Sequence, residues 1–205
     1  MSDFRRELYR RYVSTFARAE GIDLADEQVA LATSRGLSAR VADVFDALAA
    51  EDGSLAAVAA IDFIEHFTRP ELLRLLPAVH RALRPGGLLV LQTPNGEGLF
   101  PGSVIYGDLT HMTIFTAESL AQLLRATGFE RLDFWETGPI PRGVKERIRC
   151  MLWKLVRLAA RALRRIEHGK RQDLWTENII CSCRKPADQG RGEGHPVGQV
   201  RSTAR

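Results

Sequence analysis

Four acidic or amide side chains each follow an apolar run of the chain, at the point where the run ends. They are Asp23, Asp43, Asp62 and Asn95. In α/β folds, ligands bind beyond the carboxyl ends of parallel strands, and a carboxylate there can hold the ribose hydroxyls of a nucleotide. If the four runs are parallel strands, these side chains converge on one edge of a sheet, and the sequence predicts a nucleotide-type site there.

The three carboxylates also have structural interpretations. Asp23 could simply cap the helix that follows it, and Asp43 could end a strand without touching a ligand. Asp62 favours the functional interpretation, because it interrupts an apolar strand where such sheets present their sites.

Two histidines are candidates for proton transfer, because an imidazole titrates near neutral pH. His111 lies on a predicted loop, where catalytic groups are common. His66 lies on a turn beside the core and could instead fix that turn through a ring hydrogen bond. Cys181 and Cys183 are two apart on a predicted strand, and two ligands do not make a zinc site, so no metal site is predicted.

Strands and helices alternate along the chain, which predicts an α/β fold with a mostly parallel sheet covered by helices on both faces. The strands are predicted at 20–24, 38–46, the start of 55–67, 88–95, 130–138 and 176–186, and the helices at 3–18, 26–35, from Pro70 to the RPGG turn, 116–129 and 142–168. The domain then spans 19–186, after an N-terminal helix at 1–18 and before a polar, glycine-rich tail at 187–205 that is expected to be disordered.

Composition limits the class of protein. A chain of 205 residues that is 45% hydrophobic suits one globular domain. No apolar run is long enough to span a membrane, and the charged start has no signal-peptide core. Three cysteines give no disulfide framework, so we expect a cytoplasmic protein.

Five segments in order resemble a class I S-adenosylmethionine-dependent methyltransferase. They are "GIDLADEQVALA", "ARVADVFD", "AIDFIEHF", "ALRPGGLLVLQTPN" and "HMTIFTAESLAQLLRATGF". The chain is most similar to the small-molecule and glycan-modifying branch, which has a D-x-x-E-H turn and an H-x-x-x-F-T-x-E-S-L segment. The resemblance covers residues 19–135 and, weakly, 176–186, and it implies a Rossmann-like methyltransferase sheet.

The resemblance assigns roles by position. Asp23 matches the acid that holds the cofactor's ribose, and Asp43 with Val44 matches the residues that meet the adenine. Ile61 and Asp62 match the turn that lies against the methionine part of S-adenosylmethionine. His66 follows on that turn, and His111 matches a histidine near the entrance for the acceptor.

The sequence departs from this family at its start, because the glycine-rich turn "D-x-G-C-G-x-G" is missing. That turn lets the backbone approach the cofactor closely. Gly21, the first glycine, already belongs to the second-strand motif. We therefore expect a domain that lacks its first strand and helix, with weak or lost cofactor binding. The exposed sheet edge that remains favours self-association.

Residues 142–171 hold eleven Lys or Arg and two Glu, a net charge of +9, whereas the whole chain carries +4. Because the positive charge is confined to one segment, a general nucleic-acid-binding surface is not expected. The predicted helix has apolar residues on one face and Arg157, Arg161 and Arg164 on the other. This pattern fits a helix in a membrane interface, or a lid packed on the sheet with a solvated basic face.

Together, these features predict a methyltransferase that uses S-adenosylmethionine to methylate an oxygen or nitrogen of a small-molecule or glycan acceptor. Two other functions remain open. One is a non-catalytic remnant of a methyltransferase that binds a partner, and the other is a membrane-peripheral protein whose function depends on the basic helix.

Overall fold

A computed structural model describes residues 19–169 and 172–187 of the protein. The strands are β1 (Gly21–Asp23), β2 (Ala39–Val41), β3 (Leu55–Ile61), β4 (Leu83–Pro94), β5 (Glu130–Glu136) and β6 (Asn178–Arg184). The helices are α1 (Asp26–Ser34), α2 (Val44–Ala49), α3 (Arg69–Ala82), α4 (Gly102–Tyr106), α5 (Ala117–Ala126) and α6 (Val144–His168), and a 3-10 turn covers Ile64–His66. The predicted N-terminal helix and most of the predicted tail lie outside the described residues.

The strands form two sheets, which confirms the predicted α/β class. β1 and β2 make a two-stranded parallel sheet, and the four-stranded sheet has the order β3-β4-β6-β5. β3 is parallel to β4, whereas β6 is antiparallel to both β4 and β5. Within each sheet every strand except β6 therefore runs in one direction, and the carboxyl ends of β3 and β4 meet at one edge.

No strand joins the two sheets in the part of the chain that the structure describes, and β3 forms the edge of the larger one. The expected gap therefore lies between the small sheet and β3. Helix α2 spans this gap, because it contacts both β1 and α3.

The core lies on one face of the larger sheet. Leucines at helical spacing on α3 pack there, together with Leu120 and Leu124 of α5, which are fully buried. They meet the alternate residues Leu89 and Leu91 of β4.

The opposite face of the larger sheet is covered less. Val90 of β4 and Ile180 of β6 form a small cluster there, against which Leu88 and Trp135 pack. Among the described residues no helix contributes to this cluster, although helices were expected on both faces.

Most predicted elements appear within two or three residues of their expected bounds. Two are corrected. The predicted strand 38–46 is short and gives way to α2, which begins immediately after Asp43. The predicted "RPGG" turn lies within β4, where Gly86 has a φ of 74° and its N–H donates to the carbonyl of Lys185. The turn is thus a local bend paired with the end of β6.

Helix α6 lies against the domain through the face that was expected to be solvated. Arg157 forms an ion pair with Glu136 at 2.9 Å, and Arg161 pairs with Asp173 at 2.7 Å. Arg164 approaches Glu97, in the loop after β4, at 3.4 Å. The predicted lid with a solvated basic face is therefore wrong for these arginines, since acidic partners on three segments attract them to the domain.

The apolar face of α6 points to solvent instead. Leu155, Leu163 and Ile166 are 57%, 68% and 84% exposed. Nevertheless, no helix among the described residues is both long and apolar enough to cross a membrane.

Candidate active site

The turn after β3 holds Asp62 in a left-handed backbone conformation, with a φ of 48°. Aspartate tolerates this region better than most residues, but it is uncommon and marks functional sites more often than other positions. The backbone N–H of Asp62 donates to the carbonyl of Gln92 on β4, and the Gln92 amide donates to Asp62 Oδ1 at 2.8 Å. Two hydrogen bonds to β4 thus fix the predicted site residue. Ile61, which precedes it, is half-buried.

Glu65, three residues after Asp62 on the same turn, is completely buried. Its Oε2 accepts a hydrogen bond from the Thr93 hydroxyl at 3.1 Å, whereas its Oε1 has no partner. Burial, with a further contribution from the Asp62 charge, raises the pKa of this carboxyl above its usual range. A buried carboxylate oxygen without a partner is costly, so this position needs an explanation beyond packing.

The loop that carries His111 is hydrogen-bonded onto this turn. The backbone N–H groups of Met112 and Thr113 donate to the carbonyl of Glu65 at 2.8 and 3.0 Å. The rings of His66 and His111 meet edge to face, with 5.0 Å between their centroids. The structure therefore brings both predicted histidines together, beside Asp62 and Glu65.

The ring of His66 is oriented by Thr110 and Asp108. His66 Nδ1 lies 2.9 Å from the Thr110 hydroxyl, which lies 2.6 Å from Asp108 Oδ1. Hydrogen bonds from Thr110 hold the pKa of Asp108 below its usual value. His111 Nδ1 is buried and has no partner among the described residues.

Asp23 lies on the other sheet, at the carboxyl end of β1, and is exposed. Its Oδ1 accepts a hydrogen bond from the N–H of Ala25 at 2.8 Å, at the start of α1. The N-cap of α1 is Ala25, without a side-chain cap, so Asp23 closes the turn before the helix rather than capping it. The ribose interpretation is compatible with this turn, because a carboxylate has further acceptor positions.

Asp43 is the N-cap of α2, and its Oδ1 accepts the N–H of Phe45 at 2.7 Å. Val44 is half-buried and packs against the main core. The backbone N–H of Ala42 donates to the carbonyl of Asp23, so the ends of β1 and β2 are adjacent. Asp23 and Asp43 consequently share one edge of the small sheet.

Asn95 differs from the three aspartates, with which it was grouped. It is 1% exposed, and its amide donates to the carbonyls of Leu174 and Thr176. Its Oδ1 accepts the N–H of Glu97. The side chain therefore ties the end of β4 to the segment before β6 and has a structural role.

Sequence reasoning missed the central place of Glu65 and the orienting role of Thr110 and Asp108. The signal for the second was present, since an Asp two residues before a Thr favours a turn closed by the aspartate side chain. Nothing in the spacing of residues 65 and 111 indicates that the two segments share hydrogen bonds.

The sequence model of a family described as "Methyltransferase domain" matches residues 4–133, more than half of the chain. The chain belongs to the methyltransferase domain family. This confirms the resemblance found in the sequence.

Curated relatives match a shorter part of this methyltransferase domain. Ubiquinone biosynthesis O-methyltransferases from strains of Xanthomonas oryzae pv. oryzae are 38% identical over 85 residues, which are 38% of this chain and 35% of the relative. The matched part thus spans about a third of the length of these relatives.

Solved structures support the methyltransferase fold over most of the chain. A SAM-dependent methyltransferase from Archaeoglobus fulgidus has a TM-score of 0.62 at 18% identity, covering 88% of this chain and 80% of that one. A phosphoethanolamine N-methyltransferase from Haemonchus contortus, in complex with S-adenosyl-L-methionine, has a TM-score of 0.56 at 20% identity, covering 86% and 45%. The predicted Rossmann-like methyltransferase fold is confirmed.

Proposed function

We propose that this methyltransferase domain transfers the methyl group of S-adenosylmethionine to an oxygen or nitrogen of a small-molecule or glycan acceptor. The observation that carries the proposal is the meeting of Asp62, Glu65, His66 and His111 where β3 ends, in a chain of this family. Such a cluster at the carboxyl end of a parallel strand is where α/β sheets bind ligands.

The cofactor is proposed to bind along the strand ends. Asp23 would accept the ribose hydroxyls, and Asp43 and Val44 would border the adenine. Ile61 and Asp62 would lie beside the methionine part. Support comes from the adjacent ends of β1 and β2 and from the fixed, left-handed turn at Asp62. A bound cofactor would supply a sulfonium methyl group that an acceptor can attack.

The acceptor is proposed to enter beside the two histidines. An acceptor oxygen attacks the methyl carbon in line, the new carbon–oxygen bond forms as the carbon–sulfur bond breaks, and S-adenosylhomocysteine leaves. The hydroxyl proton passes to an imidazole, His111 or His66, which suits such a transfer at neutral pH. The curated O-methyltransferase relatives favour oxygen as the acceptor atom.

Assays of methyl transfer test this function. The purified chain is incubated with S-adenosylmethionine carrying a labelled methyl group and with panels of phenols, sugars and primary amines. We expect labelled product from a hydroxyl acceptor, with a loss of about a hundredfold or more in His111→Ala, since general bases contribute on the order of 10²–10⁴-fold. His80→Ala removes an imidazole from α3, outside the site, and is the matched control. No transfer to any panel would contradict the proposal.

A non-catalytic remnant is the second candidate function, and the gap between the two sheets favours it. A glycine-rich turn normally positions the cofactor from such a central strand. A chain that binds no S-adenosylmethionine at millimolar concentration while remaining folded would establish this second candidate instead.

We also propose that α6 holds the domain against an anionic membrane surface. Its exposed apolar residues include Leu155, Leu163 and Ile166. Five cations of the helix are exposed and form no ion pair with a described residue: Lys145, Arg147, Arg149, Lys154 and Arg165. An apolar stripe flanked by unpaired cations suits the boundary between acyl chains and anionic head groups.

A further inference from the structure

We propose that Glu65, His66 and His111 form a binding site for one divalent transition-metal ion. One ligand atom from each of these side chains lies within 4.8 Å of the others. In a tetrahedral site with bonds of about 2.1 Å, ligand atoms are about 3.4 Å apart, so small side-chain movements close the site. The residue pattern of the sequence alone predicts no metal site.

Two of the three residues carry a buried polar atom that has no hydrogen-bond partner. Glu65 is 0% exposed, and its Oε1 has no hydrogen-bond partner. Nδ1 of His111 is also buried without a partner. Buried polar atoms are nearly always satisfied, and a metal ion would satisfy both of these at once.

The hydrogen bonds of His66 leave its other ring nitrogen ready to bind a metal. The Thr110 hydroxyl has one proton, and it donates that proton to the Asp108 carboxylate at 2.6 Å. The same oxygen must therefore accept at 2.9 Å from His66 Nδ1, which carries the ring proton. Nε2 of the neutral ring keeps its lone pair. Hydrogen bonding of this kind to the second nitrogen is usual for histidines that bind metals.

The donor set selects the class of ion. Two imidazoles and one carboxylate suit Zn²⁺, Co²⁺, Fe²⁺ or Mn²⁺, whereas Mg²⁺ and Ca²⁺ prefer oxygen ligands alone. Three protein ligands also leave at least one position open. We infer that this position takes an oxygen ligand such as water or an ionised hydroxyl.

The site has a consequence for the acceptor, and this part rests on the proposed function. A metal-bound hydroxyl loses its proton more easily, so the metal would replace an imidazole as the group that activates an oxygen acceptor. Metal binding itself does not depend on methyl transfer. A chain that binds the ion but transfers no methyl group would retain the site and lose only the proposed function.

Titration with the metal alone tests the site. The full chain is stripped of metal with a chelator and titrated with Co²⁺, followed by visible absorption, and with Zn²⁺, followed by calorimetry. We expect one ion to bind per chain. Glu65→Gln, His66→Gln and His111→Gln should each weaken binding by about tenfold or more. Glu118→Gln and His80→Gln remove the same types of group elsewhere and should bind as the wild type does.

A positioning test separates the orienting hydrogen bonds from the ligands. Thr110→Val should weaken Co²⁺ binding by about 10–100-fold, and Thr110→Ser should restore it. Circular dichroism establishes that each variant is folded. The proposal is overturned if the folded wild type binds no ion saturably, or if all three ligand variants bind it as tightly as the wild type does.

Discussion

Asp62 and Glu65 lie on one short turn, and each is in an energetically unfavourable state. Asp62 adopts a left-handed backbone conformation, and Glu65 buries a carboxylate oxygen that has no hydrogen-bond partner. Each condition costs free energy that the fold must offset elsewhere. Positions with such a cost are the first to examine for a ligand, and here both lie beside His66 and His111.

The ribose role of Asp23 can be separated from its hydrogen bond to Ala25. Asp23→Asn keeps an oxygen that accepts the Ala25 N–H but removes the negative charge. If Asp23 binds the ribose, the variant should weaken S-adenosylmethionine binding by about tenfold, since hydrogen bonds to charged groups contribute roughly 1.5–3 kcal/mol. Calorimetry measures this, with Asp26→Asn on α1 as the control. Equal affinity in all three proteins would leave Asp23 as a structural residue only.

His80 should make the protein less stable in mild acid. Burial, followed by the nearby charge of Lys185, lowers the pKa of His80 in the folded protein. The unfolded chain therefore takes up this proton first, and the stabilisation is complete above a pH of about 6.5 and is lost as the pH falls below it. Urea unfolding between pH 5 and 8 measures this.

His80→Gln isolates the effect, because the other titrating groups are common to both proteins. The difference between the two free energies of unfolding should change between pH 8 and pH 5, with the wild type losing more. If the difference in free energy of unfolding stays constant between pH 5 and 8, the proposed effect of His80 protonation is contradicted. The ring of His80 packs edge to face on Phe129 at 5.1 Å, so the variant is also expected to be less stable at pH 8.

At the scale of elements, the sequence predicted most helices and strands but not how α6 faces the domain. Periodicity separates the two faces of a helix, and apolar faces usually turn inward. Here Glu136, Asp173 and Glu97 attract the arginine face instead. Those partners lie on separate segments, so no local pattern could reveal them. The contact between His66 and His111 could not be predicted for the same reason, because it depends on backbone hydrogen bonds between segments that are distant in the sequence.

Membrane binding by α6 should depend on its exposed residues rather than on its paired arginines. Lys154→Glu with Arg165→Glu should reduce sedimentation with anionic liposomes at least tenfold, because each cation contributes about 1 kcal/mol. Leu155→Glu with Leu163→Glu should also reduce it. High salt should weaken binding of the wild type, since it screens the attraction.

Matched controls lie on other helices. Leu73 on α3 is 58% exposed, and Arg125 on α5 is exposed, so Leu73→Glu and Arg125→Glu change the same residue types outside α6. These variants should sediment as the wild type does. Equal recovery of every protein with neutral and anionic lipid would contradict the membrane proposal.

At the scale of the whole molecule, the gap between the two sheets leaves one edge of β3 without a partner among the described residues. We propose that two copies of the chain pair through this edge, since an open strand is a template for another. Light scattering should then give a mass above 22.9 kDa that rises with concentration. Ala59→Lys, at an exposed position of β3, should lower it. A monomer at all concentrations would contradict this pairing.

The most direct test of the proposed cofactor site is to measure the binding of S-adenosylmethionine to the purified 205-residue chain by calorimetry. The strand ends on both sheets carry the acidic side chains that are proposed to contact the cofactor, whereas residues 1–20 contain no glycine. The account therefore predicts one site per chain, with a dissociation constant between about 10 µM and 1 mM, equivalent to roughly −7 to −4 kcal/mol. Failure to bind at millimolar concentration would contradict the cofactor site, and a low micromolar constant would contradict the importance of the missing turn.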